Sequence, residues 1–225
     1  MQTKKQLSIK GLFLPAIALC SLLLSGNPAH AALVTYSFTG SVSQVNGPLL
    51  PTVNMMSPVS GTFQFNNNPA TGGNYQGVVS NLVLNIGGYT STYAVGANAV
   101  TVFKAIDLGS GIPGDRWQLV TAATGSAINN GYTPFRFDLN LDREGSLFAN
   151  TNMQNPPSLG FPDFLTGARW RLLFDNGDGV VRIQGGLNSL TAVPLPAAVI
   201  LFGAGLISLV GLGAGGLRNL RWPQA

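Results

Sequence analysis

The chain has 225 residues, 45% hydrophobic and only 9% charged, with a formal net charge of +4 and one residue each of Cys and His. One cysteine excludes a disulfide framework within the chain. One His and one Cys are too few for a His/Cys zinc centre, and both lie within the first 31 residues, so a chain cleaved after them lacks the His or Cys that most nucleophilic triads need.

At the front, Lys4, Lys5 and Lys10 lead into a 13-residue apolar run, Leu12 to Leu24, followed by Ala29-His30-Ala31. A basic start, a short greasy run and an A-x-A site predict a secretory signal peptide over 1–31, with signal peptidase cutting between Ala31 and Ala32. The run contains Pro15 and falls short of the roughly 20 residues that a spanning helix needs. Cys20 follows Leu19, inside the apolar run, which does not fit a lipoprotein site.

Cleavage there removes both Cys20 and His30. It also changes the charge balance. From Ala32 to Val193 the basic residues are Lys104, Arg116, Arg136, Arg143, Arg169, Arg171 and Arg182, and the acidic ones are Asp107, Asp115, Asp138, Asp142, Glu144, Asp163, Asp175 and Asp178. Seven minus eight leaves −1, so the basic excess belongs to the two ends and no nucleic-acid partner is expected.

The body, 32–192, alternates with period two. Val34, Tyr36 and Phe38, then Phe63 and Phe65, then Leu82, Leu84 and Ile86 are interleaved with mostly polar residues. The clearest run sets Phe135, Phe137, Leu139 and Leu141 against Arg136, Asp138, Asn140 and Asp142. Trp170, Leu172 and Phe174 oppose Arg169 and Arg171, while Val181 and Ile183 oppose Arg182 and Gln184. Asn46-Gly47-Pro48, Asn66-Asn67-Asn68-Pro69, Gly87-Gly88, Asn129-Asn130-Gly131 and Asp175-Asn176-Gly177 punctuate these runs as turns. The expectation is an all-β exported domain of nine or ten strands, a two-layer antiparallel β-sandwich or jelly roll. Asn150 to Thr166, with its prolines, reads as one long loop, and Leu187 to Val193 as the last strand or a short tether.

Little in the body points to catalysis. Asp138 and Asp142 share one strand face with Arg136 and are expected to be solvated there, and Glu144 sits in a turn. No enzyme and no catalytic residue are expected. Asp175 and Asp178, on a tight Asn/Gly turn, offer hard oxygens to calcium or simply build a hairpin turn. Trp117, Tyr89 and Tyr93 are candidates for stacking on a sugar, with the tyrosines on a Ser/Thr-rich edge strand, whereas alternation assigns Trp170 to the core.

The chain ends with Val193-Pro194-Leu195-Pro196, the uncharged 21-residue run Ala197 to Leu217, and Arg218 and Arg221. As a helix at about 1.5 Å per residue, that run spans the hydrocarbon core of a bilayer, with its arginines on the cytoplasmic side. This arrangement over 193–225 resembles the PEP-CTERM sorting signal of Gram-negative bacteria, a short Pro-x-Pro motif, a hydrophobic helix and a basic tail. Leu195 stands where the family's namesake glutamate would be, as in a Val-Pro-Leu-Pro-Ala-Ala subgroup. The resemblance implies recognition by an integral-membrane exosortase, cleavage near Val193 to Pro196, and release or attachment at the cell surface, often beside exopolysaccharide. Two functions follow as expectations: a non-catalytic surface or extracellular-matrix protein, or a carbohydrate-binding module with or without calcium.

Overall fold

The computed structural model describes residues 33–50, 52–67, 73–129, 131–153, 155–157, 159 and 167–194. The predicted signal peptide, 1–31, and the apolar run 197–217 lie outside the described residues. The strands are β1 (Leu33–Val45), β2 (Pro58–Asn66), β3 (Asn74–Gln76), β4 (Val79–Ile86), β5 (Tyr89–Asp107), β6 (Pro113–Gly125), β7 (Thr133–Glu144), β8 (Ala168–Asp175) and β9 (Val180–Val193). Among the described residues the fold is all-β, with one short 3-10 helix at Gly47–Leu49.

Every pairing is antiparallel, and the sheet runs β5-β4-β2-β1-β9-β8-β7-β6 before β6 returns to pair with β5. Eight strands therefore form a closed up-and-down barrel, and the short β3 continues the line of β4 along the same edge of β5, pairing Asn74–Gln76 with Ala99–Thr101 while β6 holds the other edge. The two separate sheets of a sandwich are not the arrangement seen. The physical reason is β5, which is 19 residues long. Its first residues, Tyr89–Thr92, pair with β4, and it then follows β6 as far as Asp107. A register break between Tyr93 and Asn98 lets one strand turn the corner that two sheets would otherwise leave open. Closure removes the exposed edges, so β5 is no edge strand.

Period two fills the interior. Phe38, Phe63, Phe65, Leu82, Leu84, Ile86, Leu139, Leu141, Leu172 and Phe174 are all buried. Aromatic rings meet across the barrel: Phe38 of β1 lies 6.1 Å from Phe137 of β7, and Phe65 of β2 lies 5.7 Å from Trp117 of β6. Gly61 faces Phe38 in register, and a Cβ placed there would stand 2.6 Å from the ring. The glycine is the small partner that the large ring requires. Phe135 departs from the predicted alternation. A bulge between Pro134 and Arg136 turns it outward, to 40% exposure, while Phe137 stays inside.

Both mouths are covered. At one, Leu49 and Val53 are buried, and Asn129 Nδ2 donates to the Leu50 carbonyl at 2.6 Å. At the other, Asp115 of β6 is buried and accepts backbone N–H groups from Leu147 at 2.7 Å, Phe148 at 2.8 Å and Ala105 at 2.8 Å. Ala105 holds a left-handed φ of 53°, a costly conformation for a residue with a Cβ, and its bond to Asp115 helps fix it. Leu33 and Val193 leave this same mouth on neighbouring strands, with Val193 paired to Thr35.

Candidate functional site

Alternation that sends Phe137, Leu139 and Leu141 inward sends Arg136, Asp138, Asn140 and Asp142 outward on β7. Register then supplies partners from both neighbours. Asp142 lies opposite Arg116 of β6, and Asn140 lies opposite Gln118 of β6 and Arg169 of β8. Asp138 lies opposite Arg171 of β8.

The contacts make two clusters. Arg116 grips Asp142 through Nε at 2.5 Å and a terminal nitrogen at 2.8 Å, and Arg169 reaches the same carboxylate at 3.1 Å. Arg136 Nε donates to Asp138 at 2.6 Å, and Arg171 donates to its other oxygen at 2.7 Å. Between them, Gln118 Nε2 donates to the Asn140 side-chain oxygen at 2.8 Å. Beyond Arg171 the same row reaches Gln184 of β9, which donates to Gln44 of β1 at 2.9 Å.

These carboxylates are not the solvated pair that the sequence suggests. The side chains of Asp138 and Asp142 are 1% exposed, because the guanidinium groups lie over them. The arginines remain partly open, at 19% for Arg116, 43% for Arg136 and Arg169, and 33% for Arg171. Burying a carboxylate is costly unless it is paired, and two guanidinium groups per carboxylate offset that cost. The hydrogen bond to Asp142 raises the Arg116 pKa above its ordinary value, so this guanidinium stays charged.

Such a pair does not suit acid–base hydrolysis. Four residue steps along β7 separate the carboxylates by about 14 Å, whereas the two acids of a glycosidase stand roughly 5–9.5 Å apart. Both are also committed to arginines.

The residues singled out from sequence fall elsewhere. Trp117 is fully buried inside the barrel and touches Phe63 and Phe65. Tyr89 is 9% exposed and donates its hydroxyl to the Ser126 carbonyl at 2.7 Å. Burial pushes its phenol up to about 12. Tyr93 is partly buried against the core, so the three rings form no shared stacking platform. Trp170 is buried, as alternation indicates. Asp175 accepts the Gly177 N–H at 2.8 Å and Asn176 accepts the Asp178 N–H at 3.0 Å, the local bonding of a hairpin turn. Among the described residues no group of three or more His, Cys, Asp or Glu side chains converges as a metal site. Val193 ends β9 at 44% exposure and Pro194 follows it. Ala29, Ala31, Ala32, Leu195, Pro196, Arg218 and Arg221 lie outside the described residues.

Sequence reasoning missed Arg116, Gln118, Arg169 and Arg171 as partners of the β7 row. The available signal was their place on the polar phase of the adjoining strands. Comparison of the chain with protein-family models, with curated proteins and with solved structures finds no match.

Proposed function

We propose that this chain is an exported, non-catalytic surface or extracellular-matrix protein, whose barrel is retained at the membrane and then processed through its tail. The observation that carries the reading is the pair of ends: a basic, apolar, A-x-A leader, and Pro194-Leu195-Pro196 before an uncharged 21-residue run and Arg218. The resemblance of that tail to the PEP-CTERM signal adds an exosortase as the processing enzyme, signal peptidase as the other, and the Gram-negative surface as the destination. The fold is compatible with such an anchor. Three residues separate the end of β9 from Ala197, a reach of about 10 Å when extended, so the mouth where both chain ends emerge would sit close to the bilayer.

The test is processing in the cells that make the protein. Replacing Pro194 and Pro196 with Ala leaves a full-length, membrane-bound species, because the extended segment before the helix is what a protease would read. Replacing Arg218 and Arg221 with Ala lets the tail slip or misroute, since those charges resist translocation. Normal maturation of the proline variant refutes exosortase-type sorting.

A second reading, carbohydrate binding, is favoured by one observation, the outward row of amide and guanidinium groups on β6, β7 and β8.

A further inference from the structure

The outer face of β6, β7 and β8 has more donors than its own acceptors use. Each of Asp138 and Asp142 is shared by two guanidinium groups, so each cluster keeps one net positive charge. A guanidinium carries five N–H donors. Arg116 commits Nε and one terminal nitrogen to Asp142, Arg136 commits Nε to Asp138, and Arg169 and Arg171 commit one terminal nitrogen each. Arg171 Nε is buried with no hydrogen-bond partner among the described residues. The carboxylates fix where these planar groups lie, so an incoming anion meets donors whose rotamer freedom is already spent.

The spacing and the chemistry between the clusters narrow the ligand. Along β7 the clusters stand about 14 Å apart. Between them is the Gln118–Asn140 amide pair, and beside Arg171 the Gln184–Gln44 pair. Guanidinium groups match carboxylates, and side-chain amides match hydroxyls as donor and acceptor together. A ligand presenting both, repeated along a chain, is a polymer of acidic sugars.

We propose that this face binds an acidic polysaccharide of the polyuronate type, laid along β7 with carboxylates at the two arginine clusters and hydroxyls on the amides. The proposal rests on the carbohydrate-binding reading and names its substrate class. A nucleic acid fits less well. Two excess charges on a body of net −1 give little of the phosphate neutralisation that dominates such binding, and the rings of Trp117 and Trp170 point inward instead of offering a base a stacking surface.

The test is affinity electrophoresis of the full chain in neutral detergent, through gels containing polygalacturonate, dextran or double-stranded DNA. Polygalacturonate should retard the protein, and added salt should weaken the effect. Arg136→Gln with Arg169→Gln takes one arginine from each cluster and leaves each carboxylate a partner; it should weaken retardation at least about tenfold. Lys104→Gln, a charge loss elsewhere on the barrel, should leave it unchanged. Near-ultraviolet circular dichroism of the buried Trp117 and Trp170 verifies that the double variant is folded. Three results would overturn the proposal: no retardation by polygalacturonate, equal retardation of the folded double variant, or stronger retardation by DNA. Retardation by dextran alone would overturn the acidic class while sparing the carbohydrate reading, and retardation by none of the three polymers would remove both.

Discussion

Asp115, buried at the mouth of the barrel, ties together three backbone N–H groups from two segments. Its burial pushes the carboxyl upward, but the N–H donors of Phe148, Ala105 and Leu147, aided by the charge of Lys104, outweigh that and hold its pKa below the ordinary 3.8. A folded pKa below the unfolded one means stabilisation that is complete well above pH 3.8 and is lost as the pH falls through the lower folded value. Chemical unfolding followed from pH 6 to pH 2 should therefore show an acid-dependent loss of stability that is smaller in Asp115→Ala. At neutral pH that variant should be less stable by about 2–4 kcal/mol, because it strands buried N–H groups. Gly61 makes the complementary point about volume. Gly61→Val drives a side chain into the Phe38 ring and should cost about 1–3 kcal/mol by thermal unfolding, whereas the same change at the open turn residue Gly47 should cost little.

Between elements, the seam where β5 leaves β4 is the thinnest part of the wall. Only Tyr89–Thr92 of β5 pair with β4, against a long ladder with β6. Where the pairing stops, the buried side chain of Asn98 takes over, accepting the Val79 N–H at 2.9 Å and donating to the Gly96 carbonyl at 3.2 Å. Asn98→Ala should cost about 1–3 kcal/mol, and amide hydrogen exchange should quicken first in β4 and the start of β5. A different weakness is expected where β7 joins its neighbours. Asp138→Asn leaves Arg136 and Arg171 without their carboxylate, a loss of about 1–3 kcal/mol once the arginines' partial exposure is allowed for. The strands themselves were legible because period two survives any partner: Leu82, Leu84 and Ile86 point inward whichever strand lies beside them. Phe135 was misread because a bulge is set by the neighbouring strand, not by the alternation of β7. The arginine clusters were half legible for the same reason. Arg136, Asp138 and Asp142 share a face in the sequence, but only register brings Arg116, Arg169 and Arg171 to them.

For the whole molecule, all-β architecture followed from period-two alternation and turn spacing, but closure did not. Sandwich and barrel require the same alternation. What separates them is whether the first strand meets the last and whether a long strand bends, and both are long-range facts: β1 pairs with β9 and β5 with β6. Closure also joins fold to proposed function. Because β1 and β9 are neighbours, Leu33 and Val193 leave the barrel at one mouth, which is what the proposed processing at both ends would require. The proposed molecule is a barrel held on a temporary apolar tail and cut at both ends. Intact-mass measurement of the protein recovered from its own cells tests that most directly. The expected result is a mature species beginning at Ala32 and lacking the residues after the Pro194–Pro196 segment, with any surface attachment appearing as added mass at that new end. A species that keeps Met1, or one that runs uncut to Ala225, would contradict it.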